Sequence, residues 1–179
     1  NYQGTPYNPY TSQNTGKRGM YRSIGINRTG VTSVCQIRPD MPNALKGLEW
    51  ICFCSTTFDA LLPLYPAVPD MPSYVKDVTL DVSTENFYWT SCLIGALADH
   101  SYASCRQHVE RYQNAVLTRG RQLVREYDAK MKETGDFSLT AEANEKLCEM
   151  AREESTKALG HILRVSCESM KNGYDLADN

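Results

Sequence analysis

The chain has 179 residues, a formal net charge of −2, 22% charged and 41% hydrophobic residues. That composition excludes global disorder and gives enough length for one domain with a real core, or two small ones. Residues 1–83 carry seven basic and six acidic groups and the remainder twelve and fifteen, so neither half supplies the basic field of a nucleic-acid binder.

No apolar run approaches the roughly 20 residues that span a bilayer. The first ten residues are polar, aromatic and rich in Pro and Gly, and do not read as a signal peptide. The chain opens on Asn1 without a starting Met, and the expectation is a processed product, an engineered truncation or a surviving fragment. Seven cysteines, at 35, 52, 54, 92, 105, 148 and 167, form no CxxC pair. The simplest expectation is scattered buried thiols in a reducing cytoplasm, with a disulfide or a reactive thiol as the alternatives.

Residues 1–20 hold Gly4, Pro6, Pro9, Gly16 and Gly19 among Asn, Ser and Thr, which is loop chemistry. Tyr2, Tyr7 and Tyr10 would lay this loop on a sheet or rim a cleft. Tyr21–Asn27 and Thr32–Arg38 read as strands, joined as a hairpin through Arg28-Thr29-Gly30. Arg28 is then either a clamp on the turn or the cationic wall of a site, and the pattern alone leaves both open. Leu48–Cys54 is nearly continuously apolar and reads as a strand covered on both faces.

In Ser55–Pro72, Pro63, Pro66, Pro69 and Pro72 recur every three residues. This spacing predicts an extended path that is not a central strand: a pocket wall or a strap. From Ser83, the expected N-cap, the apolar period changes to that of a helix. Helix one is predicted over Thr84–His100, buried through Phe87, Trp89, Leu93, Ile94 and Leu97. Helix two is predicted over Ser104–Lys132, with Val109, Tyr112, Val116, Leu123 and Tyr127 in its stripe. Helix three is predicted over Thr140–Asn172, stopped by Gly173. The last two should form an antiparallel hairpin about 40 Å long, a scaffold or an oligomer contact.

The chain contains no GxSxG, HExxH, P-loop or GxGxxG string. His100, His108 and His161 all fall on predicted helices and read as structural or exposed. Asp40, Glu49, Asp59, Asp70, Asp77 and Asp81 show no pairing motif, and an isolated Asp after Pro or in a loop reads as a turn former. No metal or cofactor is called for. The residues alone describe an α+β unit without a complete active site.

The strings GTPYNPY, YRSIGINRTG, SVCQIRPDMP, LEWICFCSTTFDALLPLYPAVPDMP and TENFYWTSCLIGALADHSYA resemble the C-terminal half of the dipeptidases of peptidase family C69. These are N-terminal-nucleophile hydrolases related to penicillin V acylase and the bile salt hydrolases. The resemblance implies that residues 1–83 complete one side of an αββα sandwich and that residues 84–179 form its helical portion. It also implies dipeptide hydrolysis by a processed N-terminal cysteine whose α-amino group handles the proton. Backbone N–H groups and an asparagine would hold the oxyanion. Arg28 matches the arginine expected beside that thiol, where it would favour the thiolate, and Asn27 is a second candidate at the same place.

Residue 1 is Asn, so the nucleophile is expected from a missing N-terminal half, and the chain alone is expected to be inactive. An amidase acting on acyl amides and a non-catalytic helical assembly module are the alternatives.

Overall fold

The computed structural model describes residues 29–170. Arg28, Asn27, the predicted strand Tyr21–Asn27 and its hairpin, the three N-terminal tyrosines and the Gly173 stop lie outside these residues. The described part is a mixed α+β structure with a three-stranded antiparallel sheet and long helices. The strands are β1 (Val31–Ile37), β2 (Gly47–Phe53) and β3 (Leu62–Leu64), in the order β1-β2-β3. The helices are α1 (Ser73–Lys76), α2 (Phe87–His100), α3 (Tyr102–Thr134) and α4 (Leu139–Glu168).

Register follows from side-chain chemistry. β1 runs against β2 from Val31 opposite Phe53 to Ile37 opposite Gly47, and Ser33 Oγ donates to Glu49 on the facing strand at 2.7 Å. β3 places Leu62 opposite Ile51 and Pro63 opposite Trp50. Proline cannot donate to a ladder, and β3 is an edge of the described sheet, where that loss is tolerated. The sequence expectation of an extended, non-central path therefore holds, with a short strand inside it.

The expectation that Leu48–Cys54 is covered on both faces needs correction. Leu48, Cys52 and Phe53 are buried, but Trp50 is half-buried, its Nε1 donating to Gln36 Oε1 at 2.9 Å and the Arg121 guanidinium standing over its ring. The exposed apolar surface lies on β1 instead, at Val31, Val34 and Ile37. The strand also ends one residue early. Cys54 takes a left-handed conformation (φ 56°), which breaks the alternation that would have kept it on the face of Cys52.

α2 starts at Phe87 rather than Thr84, because Asn86 and not Ser83 is its N-cap: Asn86 Oδ1 accepts the Trp89 N–H at 2.9 Å. Ser83 instead takes the Glu85 N–H in the preceding turn. Phe87, Thr90, Ser91, Ile94, Gly95 and Ala98 form its buried face, while Trp89, Leu93 and Leu97 are half-buried. α3 ends on Gly135, whose φ of 71° is the left-handed stop that glycine permits, with its N–H on Met131 O at 2.9 Å. α4 ends at Glu168, short of the predicted Asn172. Ser166 is its last buried residue, its hydroxyl donating to Leu97 O.

The cysteine expectation is also corrected. Cys54 and Cys92 form a disulfide joining the end of β2 to α2. Cys35 and Cys167 are exposed, and Cys52, Cys105 and Cys148 are buried thiols.

Two polar junctions fix the sheet to the α3–α4 hairpin. Asn144, wholly buried in the second turn of α4, accepts the Tyr65 N–H at 2.8 Å and donates to the Tyr65 carbonyl at 2.9 Å. Its amide thus substitutes for the next strand just past β3. The Tyr65 hydroxyl donates to Asp128 Oδ1 at 2.9 Å, and Arg38 pairs with the other oxygen of that carboxylate while also donating to Leu45 O. Asn144→Ala should therefore strand two buried backbone groups. The expected loss is about 2–5 kcal/mol of unfolding free energy by denaturant titration, whereas a loss below about 1 kcal/mol would mean that water replaces the amide.

Candidate functional site

The chemistry that the described residues bring together lies where β1 begins and β2 ends. The Cys54 N–H donates to Gly30 O at 2.8 Å, closing the ladder beside the Val31–Phe53 pair. Beneath it the chain turns back through Ser55–Leu61, and Asp59 points inward from this turn. Asp59 is 4% exposed. Its Oδ2 accepts the Phe53 N–H at 2.7 Å and its Oδ1 accepts the Tyr112 hydroxyl at 3.1 Å. Ala60 and Ser91 lie near the same carboxylate, and the buried Ser91 Oγ makes no hydrogen bond among the described residues. One side chain thus joins β2 and α3 to its own loop, beside α2.

A cavity of about 210 Å³ opens beside it, lined by Thr32, Cys52, Thr56, Asp59, Leu61, Gln113 and Leu117. Gln113 braces the rim, donating to Thr57 O and Asp59 O at 3.0 Å each. Phe53, next to the cavity-lining Cys52 on β2, packs edge-on to Phe87 and Tyr88.

Burial dominates the electrostatics. It pushes the Asp59 carboxyl up to about 7 despite the opposing hydrogen bonds from Phe53 and Tyr112. The Cys52 thiol rises to about 11, through burial first and the Asp59 charge second, and Cys148 to about 12, mainly through burial. Tyr112 is raised well above the usual phenol value, again chiefly by burial. Cys52 and Cys148 therefore stay protonated at neutral pH, and neither is poised as a thiolate nucleophile.

Arg28 and Asn27, the two site residues expected from the sequence, lie outside the described residues; the described chain begins at Thr29, one residue after Arg28. The histidines do not enter this cavity. His100 closes α2, and His108 and His161 stack across α3 and α4 with centroids 5.3 Å apart. Burial lowers the pKa of His108, with His161, Arg111 and Arg164 adding to the effect. Among the described residues no three His, Cys, Asp or Glu side chains cluster to hold a metal ion, and no helix is long and apolar enough to cross a membrane.

Sequence reasoning treated Asp59 as a turn former. The signal it passed over is the ionisable residue inside the apolar run Phe58-Asp59-Ala60-Leu61-Leu62, just after a buried strand. Such a carboxyl is buried with the strand, and its donors must come from neighbouring elements.

A raised folded-state value means that the folded protein binds the Asp59 proton more tightly than the unfolded chain. Its contribution to stability is fully present below about 4 and is lost as pH rises through about 7. Thermal midpoints of Asp59→Asn and the parent should accordingly converge or cross between pH 4 and 7, the parent gaining relative stability as pH falls. A pH-independent difference between the two would contradict this burial.

Comparison with known proteins gives the setting. The family description "Peptidase family C69" matches residues 1–115. The dipeptidase of Bifidobacterium longum (strain NCC 2705) is 32% identical over 99% of this chain and 41% of its own length. A probable dipeptidase A of Streptococcus pyogenes serotype M18 is 33% identical over 99% of this chain and 38% of its own. A probable dipeptidase B of Lactococcus lactis subsp. lactis is 29% identical over the same shares. The chain thus spans about two fifths of the length of the curated relatives it matches, and these matches, with the family description covering more than half of it, show that the chain belongs to peptidase family C69.

Proposed function

We propose that this chain is the C-terminal part of a cysteine-type dipeptidase and that it supplies a supporting wall, not the nucleophile. The observation that carries the reading is the alignment of nearly all of its residues with proteins named dipeptidases, while leaving about three fifths of those proteins unmatched. In this reading the three-stranded sheet and its helices complete one side of an αββα sandwich. An N-terminal cysteine from polypeptide outside residues 1–179 attacks the peptide carbonyl. The thiol proton passes to that residue's own α-amino group and then to the leaving amine. Water next attacks the thioester and releases the acyl residue.

Two features of this chain support the assignment. Cys52 and Cys148, the thiols raised by burial, are unsuited to attack. In the sequence Arg28 immediately precedes Thr29 and Gly30, which lead into β1, and the Gly30 carbonyl is held by the Cys54 N–H at the end of β2. A guanidinium beside the nucleophile would lower the thiol pKa and increase the thiolate fraction at neutral pH. Asn27 is the accompanying candidate for a hydrogen bond to the same site.

In the complete protein, Arg28→Ala should lower kcat/KM for dipeptides by about 100-fold or more, a loss of about 2.7 kcal/mol or more in transition-state stabilisation. The acidic limb of its pH profile should move upward, because the thiol has lost the charge that favoured its ionisation. Residues 1–179 alone should show no turnover above blank. Unchanged turnover in the variant would leave Arg28 a clamp on the turn, and a catalytically active isolated chain would remove the need for an external cysteine.

A further inference from the structure

We propose that the cavity beside Asp59 binds a primary ammonium group carried on a small aliphatic residue, and that in the complete protein this is the free N-terminal residue of the dipeptide. The binding chemistry stands on the described residues. The identification of the ligand as substrate rests on the dipeptidase reading above.

Asp59 supplies the charge. It is 4% exposed and lines the cavity of about 210 Å³. Its carboxyl group accepts the Phe53 N–H on one oxygen and the Tyr112 hydroxyl on the other. A carboxylate offers about four acceptor positions, so two such bonds leave room for a ligand. Among the described residues no lysine, arginine or histidine pairs with it. A buried carboxylate without a counter-charge is costly, and a cation entering the cavity relieves that cost. A metal ion would need several oxygen or nitrogen ligands, and no three acidic, histidine or cysteine side chains cluster among the described residues. An ammonium needs only one carboxylate and neutral acceptors beside it.

The rim supplies those acceptors. Gln113 spends its amide nitrogen on Thr57 O and Asp59 O, at 3.0 Å each, which leaves its oxygen to accept from a ligand. Thr32 and Thr56, both hydroxyl-bearing, line the same cavity. An ammonium has three N–H donors, and Asp59, Gln113 and one threonine offer three acceptors. Leu61 and Leu117 give the lining its apolar part, suited to a short aliphatic side chain. A void of about 150 Å³ holds a benzene-sized molecule, whereas pockets for whole ligands run from about 300 to 1,000 Å³. At about 210 Å³ the cavity takes one end of a dipeptide rather than all of it. The C-terminal end carries a carboxylate, which Asp59 repels as a like charge, so the end that fits is the N-terminal one.

The test uses the complete protein. At neutral pH L-alaninamide, a protonated amine, should shift the Leu61 and Leu117 methyl resonances saturably, while uncharged N-acetyl-L-alaninamide should leave them in place. Asp59→Asn should weaken alaninamide binding by about 10–100-fold, the scale of a hydrogen bond to a charged group. Leu117→Phe, read at Leu61, should weaken it comparably by filling the cavity, and it keeps every bond of Asp59 should Asp59→Asn fail to fold. In hydrolysis, alanyl-alanine should exceed its N-acetyl form by about 100-fold or more in kcat/KM, and Asp59→Asn should cut that preference at least tenfold. Equal methyl shifts with the amine and its acetyl form, or none with either, would overturn the proposal, as would parental amine binding in both variants. Amine binding with the preference intact in Asp59→Asn would overturn the assignment to substrate. A complete protein that leaves dipeptides intact would refute the dipeptidase reading, while the methyl shifts would still decide whether the cavity takes an ammonium.

Discussion

A carboxylate removed from water organises the end of the sheet. Burying Asp59 is costly, and the fold offsets part of that cost with donors from two directions, the end of β2 and α3. The elements must arrive at their observed positions for those bonds to form. α2, started by Asn86 and not Ser83, sets Cys92 against Cys54 beside this carboxylate. Tyr112 reaches Oδ1 because Val109, Tyr112 and Val116 turn one stripe of α3 inward.

The opposite end of the sheet is held differently. There the Asn144 amide extends the hydrogen bonding past β3, and Arg38, Asp128 and Tyr65 tie the first strand's exit to α3. Pro63 packs against Gly120 so closely that an added Cβ there would lie 3.0 Å from its ring. The helical hairpin is therefore built around the sheet edge, and its outer faces carry ion pairs such as Lys157–Glu153 and Arg106–Glu110. Such pairs keep the surface hydrated and contribute little stability. The division of labour is clear: one end of the sheet is fixed by a neutral amide and a half-buried ion pair, the other by a titratable group that responds to pH.

Much of this was readable in the residues. β1, β2 and the three long helices follow from apolar periodicity. The family followed from ordered motifs. What escaped reading depends on contacts distant in sequence. Asp59 meets Tyr112 across 53 positions and Tyr65 meets Asn144 across 79, and no local pattern announces either bond. The Cys54–Cys92 link was likewise hidden, because 38 residues separate two cysteines with no shared motif. Ser83 is as good a cap as Asn86 by composition, and only packing of the buried Asn86 decides between them. Arg28 and Asn27, the residues singled out by resemblance, fall outside the described residues, so their place in the site rests on the family and on their position in the chain.

The account requires a thiol nucleophile that is not one of the seven cysteines of residues 1–179. Labelling the complete protein with an electrophilic dipeptide analogue, followed by peptide mapping, tests this most directly. A single adduct on an N-terminal cysteine outside this segment, formed in step with loss of activity, is the predicted result. An inactivating adduct on Cys35, Cys52 or any other cysteine of this chain would contradict it.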